Sequence, residues 1–138
     1  MLFRSIEPFL VTSTIIGVLA QRLVRRICPE CKINFEPPPE QLRELGIKPQ
    51  AFRKMGKKFC RGEGCDKCRN TGYRGRIGIH ELLVMSEEIK KTILEHSDDS
   101  SIKKQCLKEN MITLRRDGVN KILYGFTTFE EIITITAN

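Results

Sequence analysis

The chain has 138 residues, the length of one domain or of two small lobes sharing a core. It is 40% apolar and 30% charged and has no tryptophan, a composition that fits a soluble chain with a modest core. No stretch approaches the roughly 20 apolar residues that a membrane-spanning helix needs. The net charge of +7 permits an anionic partner, whether nucleic acid, the inner face of a membrane or an acidic protein surface, and chooses none of them.

In chain order, Pro8 to Ile27 reads as one helix that changes character midway. Its first half carries Phe9, Leu10, Val11, Ile15, Ile16, Val18 and Leu19; its second half ends in Arg25 and Arg26, where a helix dipole favours cations. So apolar a half should be buried, and little else in the chain is large enough to cover it, which points to further protein upstream. Arg4 before this run and Val18-Leu19-Ala20 within it imitate an export signal, but Glu7, Pro8 and Thr12-Ser13-Thr14 argue against one.

A tight turn at Cys28-Pro29-Glu30-Cys31 is followed by prolines 37 to 39, which open a short helix through Leu42 and Leu45 that Gly46 ends. Pro49 starts another turn of helix carrying Phe52 and Met55, closed by Gly56. Tyr73 to Val84 alternates like a strand. Four helices follow. Ser86 caps the first, Ser100 or Ser101 the second, and the third runs from about Thr113 to a stop at Gly125. Thr128-Phe129-Glu130-Glu131 has the form of a capping box for the last.

The chemistry lies in the cysteines. Cys28 and Cys31 form one C-x-x-C pair, Cys65 and Cys68 another, separated by 33 intervening residues. Such pairs suggest metal in an intracellular chain and disulfides only in an exported one. Each two-residue spacer turns the chain so that amides face the thiolates, and two such knuckles complete an all-sulfur tetrahedral shell for Zn²⁺. Four thiolates around the ion would lower the net charge to roughly +5. A shell closed by protein sulfur has no position for water or substrate, so the site is read as structural. Glycines at 62, 64 and 72 give the second knuckle backbone freedom.

Two other readings remain open. Cys60, Cys65 and Cys68 have the spacing of a plant-type [2Fe–2S] ferredoxin, with Cys106 as a distant fourth ligand, but that choice strands the first pair. Otherwise Cys60 is a spare thiol and Cys106 a small core residue. A zinc ribbon could also bind nucleic acid through Arg22, Arg25, Arg26, Arg69, Arg74 and Arg76, although no aromatic residues recur between them for base stacking. His80 and His96 read as isolated, with His80 a packing residue of the strand. Asp117-Gly118 inside a helix marks a close helix contact. No G-x-x-x-x-G-K-[ST] phosphate loop occurs, so this chain alone is not expected to hydrolyse ATP.

Ordered blocks carry a family resemblance: Glu7-Pro8-Phe9-Leu10, Gly17 to Arg25, Cys28-Pro29-Glu30-Cys31-Lys32, Gly64 to Cys68, Thr71 to Leu83, Thr113-Leu114-Arg115, Asp117-Gly118 and Gly125 to Thr128. Over nearly its whole length the chain resembles the C-terminal segment of the ATPases of type II secretion and type IV pilus assembly. The tetracysteine module points to the assembly or secretion branch. The resemblance implies a cytoplasmic homo-hexamer at the bacterial inner membrane, working with inner-membrane platform proteins and with ATP and Mg²⁺ in the full-length parent. It implies an α+β, mainly helical chain lacking most of the RecA-like core. Residues 1–27 would be the terminal helix of that core and 28–72 a zinc-binding module. Residues 73–85 would be a strand joining the core sheet, and 86–138 a C-terminal helical lobe. No catalytic residue of the family transfers to this chain.

Overall fold

A computed structural model describes residues 6–95 and 98–137; His96 lies outside the described residues. The fold is α+β. Helix α1 (Pro8–Thr14) leads into strand β1 (Gly17–Ile27), then β2 (Lys32–Phe35), α2 (Pro39–Glu44), α3 (Pro49–Met55), β3 (Phe59–Gly62) and β4 (Tyr73–Val84). Helices α4 (Glu87–Glu95), α5 (Asp99–Lys108), α6 (Leu114–Leu123) and α7 (Phe129–Thr136) complete the chain. Strand β1 pairs with β4, and β2 pairs antiparallel with β3 in the register Asn34 opposite Cys60 and Phe35 opposite Phe59.

The single helix expected over Pro8 to Ile27 ends at Thr14, where Ile15 turns extended, and Gly17 to Ile27 is a strand. The pattern was ambiguous because Val24 and Ile27, its buried residues, stand three apart as on a helix face. Pairing with β4, more than forty residues downstream, decides for the strand.

The chain forms two compact units. One comprises the described residues of Met1–Ala20 and Glu81–Thr113. Here α1 packs on α4 and α4 on α5, while the Met85 amide donates to the Ile16 carbonyl at 3.0 Å. Ile89, Cys106 and Thr12 are its buried residues. Much of its expected apolar burial is missing: Phe9 is 68% exposed, Ile16 89% and Leu19 60%. The cap of α5 is Asp98, not Ser100 or Ser101; its carboxylate accepts from the Ser101 amide at 2.9 Å and the Ser100 hydroxyl at 2.7 Å.

The other unit comprises Gln21–His80 and the described residues of Leu114–Asn138. The last helices, α6 and α7, therefore belong with the cysteine segment and not with α4 and α5. Its core gathers Val24 from β1, Leu42 and Leu45 around α2, Phe52 from α3, Phe59 from β3, Ile79 from β4, Val119 and Ile122 from α6 and Ile132 from α7. Phe59 meets Phe35 and Phe52 edge to face, at centroid distances of 6.2 and 5.4 Å. Gly118 lets α6 press on α7: a Cβ there would lie 2.8 Å from Ile132 Cγ2 and Cδ1. Helix α6 closes at Gly125 (φ +70°), with the Gly125 amide bonded to the Ile122 carbonyl and Phe126 to Lys121.

Candidate metal centre

The two knuckles stand at the root of the segment that carries α2 and α3. The first, a single 3-10 turn at Pro29–Cys31, lies between β1 and β2; the second, at Asp66–Cys68, lies between β3 and β4. Pairing of Lys32 with Gly62 and a bond from the Glu63 amide to the Cys31 carbonyl bring the two ends together. Glycine is required where they cross. A Cβ on Gly62 would meet the Gly72 carbonyl oxygen at 2.1 Å, and one on Gly72 (φ +77°) the Gly62 oxygen at 2.6 Å.

The result is a cluster of four sulfurs. The Sγ atoms of Cys28, Cys31, Cys65 and Cys68 all lie within 4.8 Å of one another. Cys28 to Cys65 and Cys31 to Cys68 are each 3.9 Å apart, and Cys65 to Cys68 3.8 Å. A tetrahedron with metal–sulfur bonds of about 2.3 Å has edges of about 3.8 Å, so these sulfurs could hold a metal ion with little rearrangement. None of the four is paired in a disulfide.

Main-chain amides point at two of the sulfurs. The Gly64 amide donates to Cys31 Sγ at 3.3 Å, and the Cys65 and Gly72 amides to Cys68 Sγ at 3.2 and 3.3 Å. Burial alone would push both thiols up. At Cys31 burial wins, raising it to about 11; at Cys68 the Cys65 and Gly72 amides, together with bonds from the Cys65 and Cys31 thiols, outweigh burial and bring it down to about 6. Four sulfurs this close cannot all ionise without a cation among them.

The ferredoxin set does not assemble. Cys60 is outside the cluster, its thiol donating to Asn34 Oδ1 at 3.1 Å across the β2–β3 pair. Cys106 is buried in α5, and burial raises its thiol. Of the six arginines considered for nucleic acid, three are engaged within the protein. Arg22 donates to the Ile135 carbonyl, Arg25 binds Glu131 and stacks 4.1 Å over Tyr73, and Arg26 lies 5.7 Å over Phe126. His80 is neither isolated nor a packing residue. Its ring is exposed, with Nδ1 3.8 Å from Asp117 Oδ2, and its main-chain amide donates to the same oxygen at 2.9 Å. Sequence spacing could not show that carboxylate, which lies 37 residues away on α6.

The fold and the cluster define an α+β protein with four clustered thiols that could hold a metal. Residues 2–134 match the family model described as type II/IV secretion system protein. The type IV pilus assembly ATPase PilB of Thermus thermophilus is 44% identical over 131 residues, covering 95% of this chain and 14% of that protein. The type II secretion system protein E of Pectobacterium carotovorum is 42% identical, covering 95% of this chain and 25% of that protein. The type II secretion system ATPase E of Vibrio cholerae is 39% identical with the same coverages. This chain belongs to the type II/IV secretion system protein family. It spans no more than a quarter of the length of these relatives.

Proposed function

We propose that this chain is the non-catalytic C-terminal portion of a hexameric ATPase that powers type II secretion or type IV pilus assembly, stiffened by a structural zinc ion. The four-sulfur cluster carries the reading: Cys28, Cys31, Cys65 and Cys68 would hold Zn²⁺ in a closed shell. The ion supplies cross-linking and charge neutralisation. Its effect is to pin the segment from Lys32 to Gly64 at both ends, a contribution on the order of 10 kcal/mol of apparent binding energy.

Turnover belongs elsewhere in the parent, where ATP and Mg²⁺ would bind, since no phosphate-loop sequence lies in these residues. The half-exposed apolar residues of α1 and β1 suit a surface covered by the rest of the motor or by a neighbouring subunit. No described helix is long and apolar enough to cross a membrane. On this reading the protein works from the cytoplasmic side of the inner membrane, through platform proteins.

Metal analysis of the purified chain tests the site: about one zinc per chain is expected. Iron with a visible charge-transfer band would overturn it in favour of a cluster protein. Measurable ATP turnover by this chain alone would contradict the non-catalytic part. Tight binding of DNA or RNA that weakens steeply with salt would favour the ribbon reading instead.

A further inference from the structure

A second site, distinct from the four sulfurs, lies in the same unit where β2, the end of α3 and the end of α6 converge. Lys32, Asn34, Lys57, Lys58, Cys60 and Gly125 line much of an open cavity of about 380 Å³. That volume falls at the small end of ligand pockets. No lining residue is acidic. Among the described residues the three ammonium groups make no ion pair and no hydrogen bond; Lys57 Nζ rests 4.6 Å over the Tyr124 ring, which orients it without neutralising it.

The remaining polar group is also set to donate. Asn34 uses its Oδ1 to accept the Cys60 thiol, which leaves the carboxamide NH₂ as its free function. The floor is kept clear by Gly125. Cys60 Sγ and Lys32 Nζ each lie 2.8 Å from the point where a Cβ on that residue would sit, so any side chain there would displace them. Three like charges held around one cavity repel one another, and an anion bound among them removes that cost and gains charge-assisted hydrogen bonds.

We propose that this cavity is an anion site for a phosphate group, presented either by a soluble phosphorylated molecule or by an anionic headgroup. Lys32, Lys57 and Lys58 supply the charge and Asn34 the directional donor. Lysine suits a compact tetrahedral anion as a point charge on a flexible stem.

The test is a titration of the full-length, isotope-labelled chain with inorganic phosphate and pyrophosphate, following the amides of Gly56, Lys57, Lys58 and Gly125. Metal content is measured before and after. Saturable shifts confined to these amides are expected. The double substitution K57Q/K58Q should weaken binding by about tenfold or more, the loss of one or two charge-assisted bonds. K103Q/K104Q removes the same charge from α5 and should leave binding unchanged. K32Q, with its metal content verified, should act as K57Q/K58Q does. Binding of phosphate or pyrophosphate in solution identifies a soluble ligand. Binding only to vesicles carrying phosphatidate, and not to neutral vesicles, identifies a headgroup, provided K57Q/K58Q abolishes it. Non-saturable shifts, equal weakening by both double substitutions, or no binding to any probe would overturn the proposal.

Discussion

Glu131, in the first turn of α7, holds Arg25 of β1 by three bonds. Its Oε1 accepts from the Arg25 side-chain Nε and Nη2 at 2.9 and 2.6 Å, and its Oε2 from the Arg25 main-chain amide at 2.8 Å. Half of the expected capping box forms, since Thr128 Oγ1 accepts from the Glu131 amide at 3.4 Å. The glutamate itself turns away from its helix to tie α7 to the strand. Arg25 is 57% exposed, so the ion pair itself contributes only tenths of a kcal/mol; the main-chain bond matters more. Glu131→Ala should lower stability to denaturant by about 1–2 kcal/mol, and Arg25→Ala, which keeps the amide, by less.

Removing one knuckle should be felt across the segment it closes. Cys65→Ser/Cys68→Ser is expected to abolish zinc binding. Hydrogen exchange should then accelerate at Ile33, Asn34 and Cys60, while the amides of α4 and α5 keep their protection. A chelator acting on the unsubstituted chain should reproduce the same pattern.

Gly118 leaves no space for a methyl group. Gly118→Ala gains helix propensity of about 1 kcal/mol but forces a Cβ against Ile132. Overpacking should win, with a net destabilisation of about 1–2 kcal/mol. In the background of Ile132→Ala the same substitution should become neutral or stabilising, a coupling that a double-mutant cycle in denaturant measures directly.

Acid should loosen α5 through its cap. The Ser100 hydroxyl, followed by the Ser101 amide, holds the Asp98 carboxyl at about 2, below its ordinary 3.8. A carboxyl depressed in the folded state contributes stability that is complete above the unfolded value and is lost as pH falls through the folded one. Protection of the α5 amides should therefore decline between about pH 4 and pH 2. Asp98→Asn, which caps without titrating, should remove that decline. If it persists unchanged in this variant, the cap is not its source.

The cysteine cluster was legible because a C-x-x-C spacer determines its own turn, and Pro39, Pro49, Gly56 and Gly125 each marked a helix boundary through the local backbone alone. The bounds of β4 were legible for a related reason, since alternation at Ile77 and Ile79 is a local pattern. What escaped depends on partners remote in sequence. Strand β1 is decided by β4, the short β2–β3 pair by the meeting of the two knuckles, and the partner of Glu131 by a residue 106 positions away. Asp98 outcompeted two neighbouring serines for one cap, a choice among chemically equivalent candidates that composition cannot rank.

The first knuckle is fastened on two sides. Cys28 donates its amide to the Gly72 carbonyl, and Ile27 beside it donates to the carbonyl of Phe126, just ahead of the α7 cap. Thr127 adds a bond from its hydroxyl to the Arg25 carbonyl. On the proposed reading, an ion at the cluster would be coupled to a turn that contains no cysteine, so the resonances of Phe126 and Thr127 should serve as remote gauges of how much of a sample is loaded.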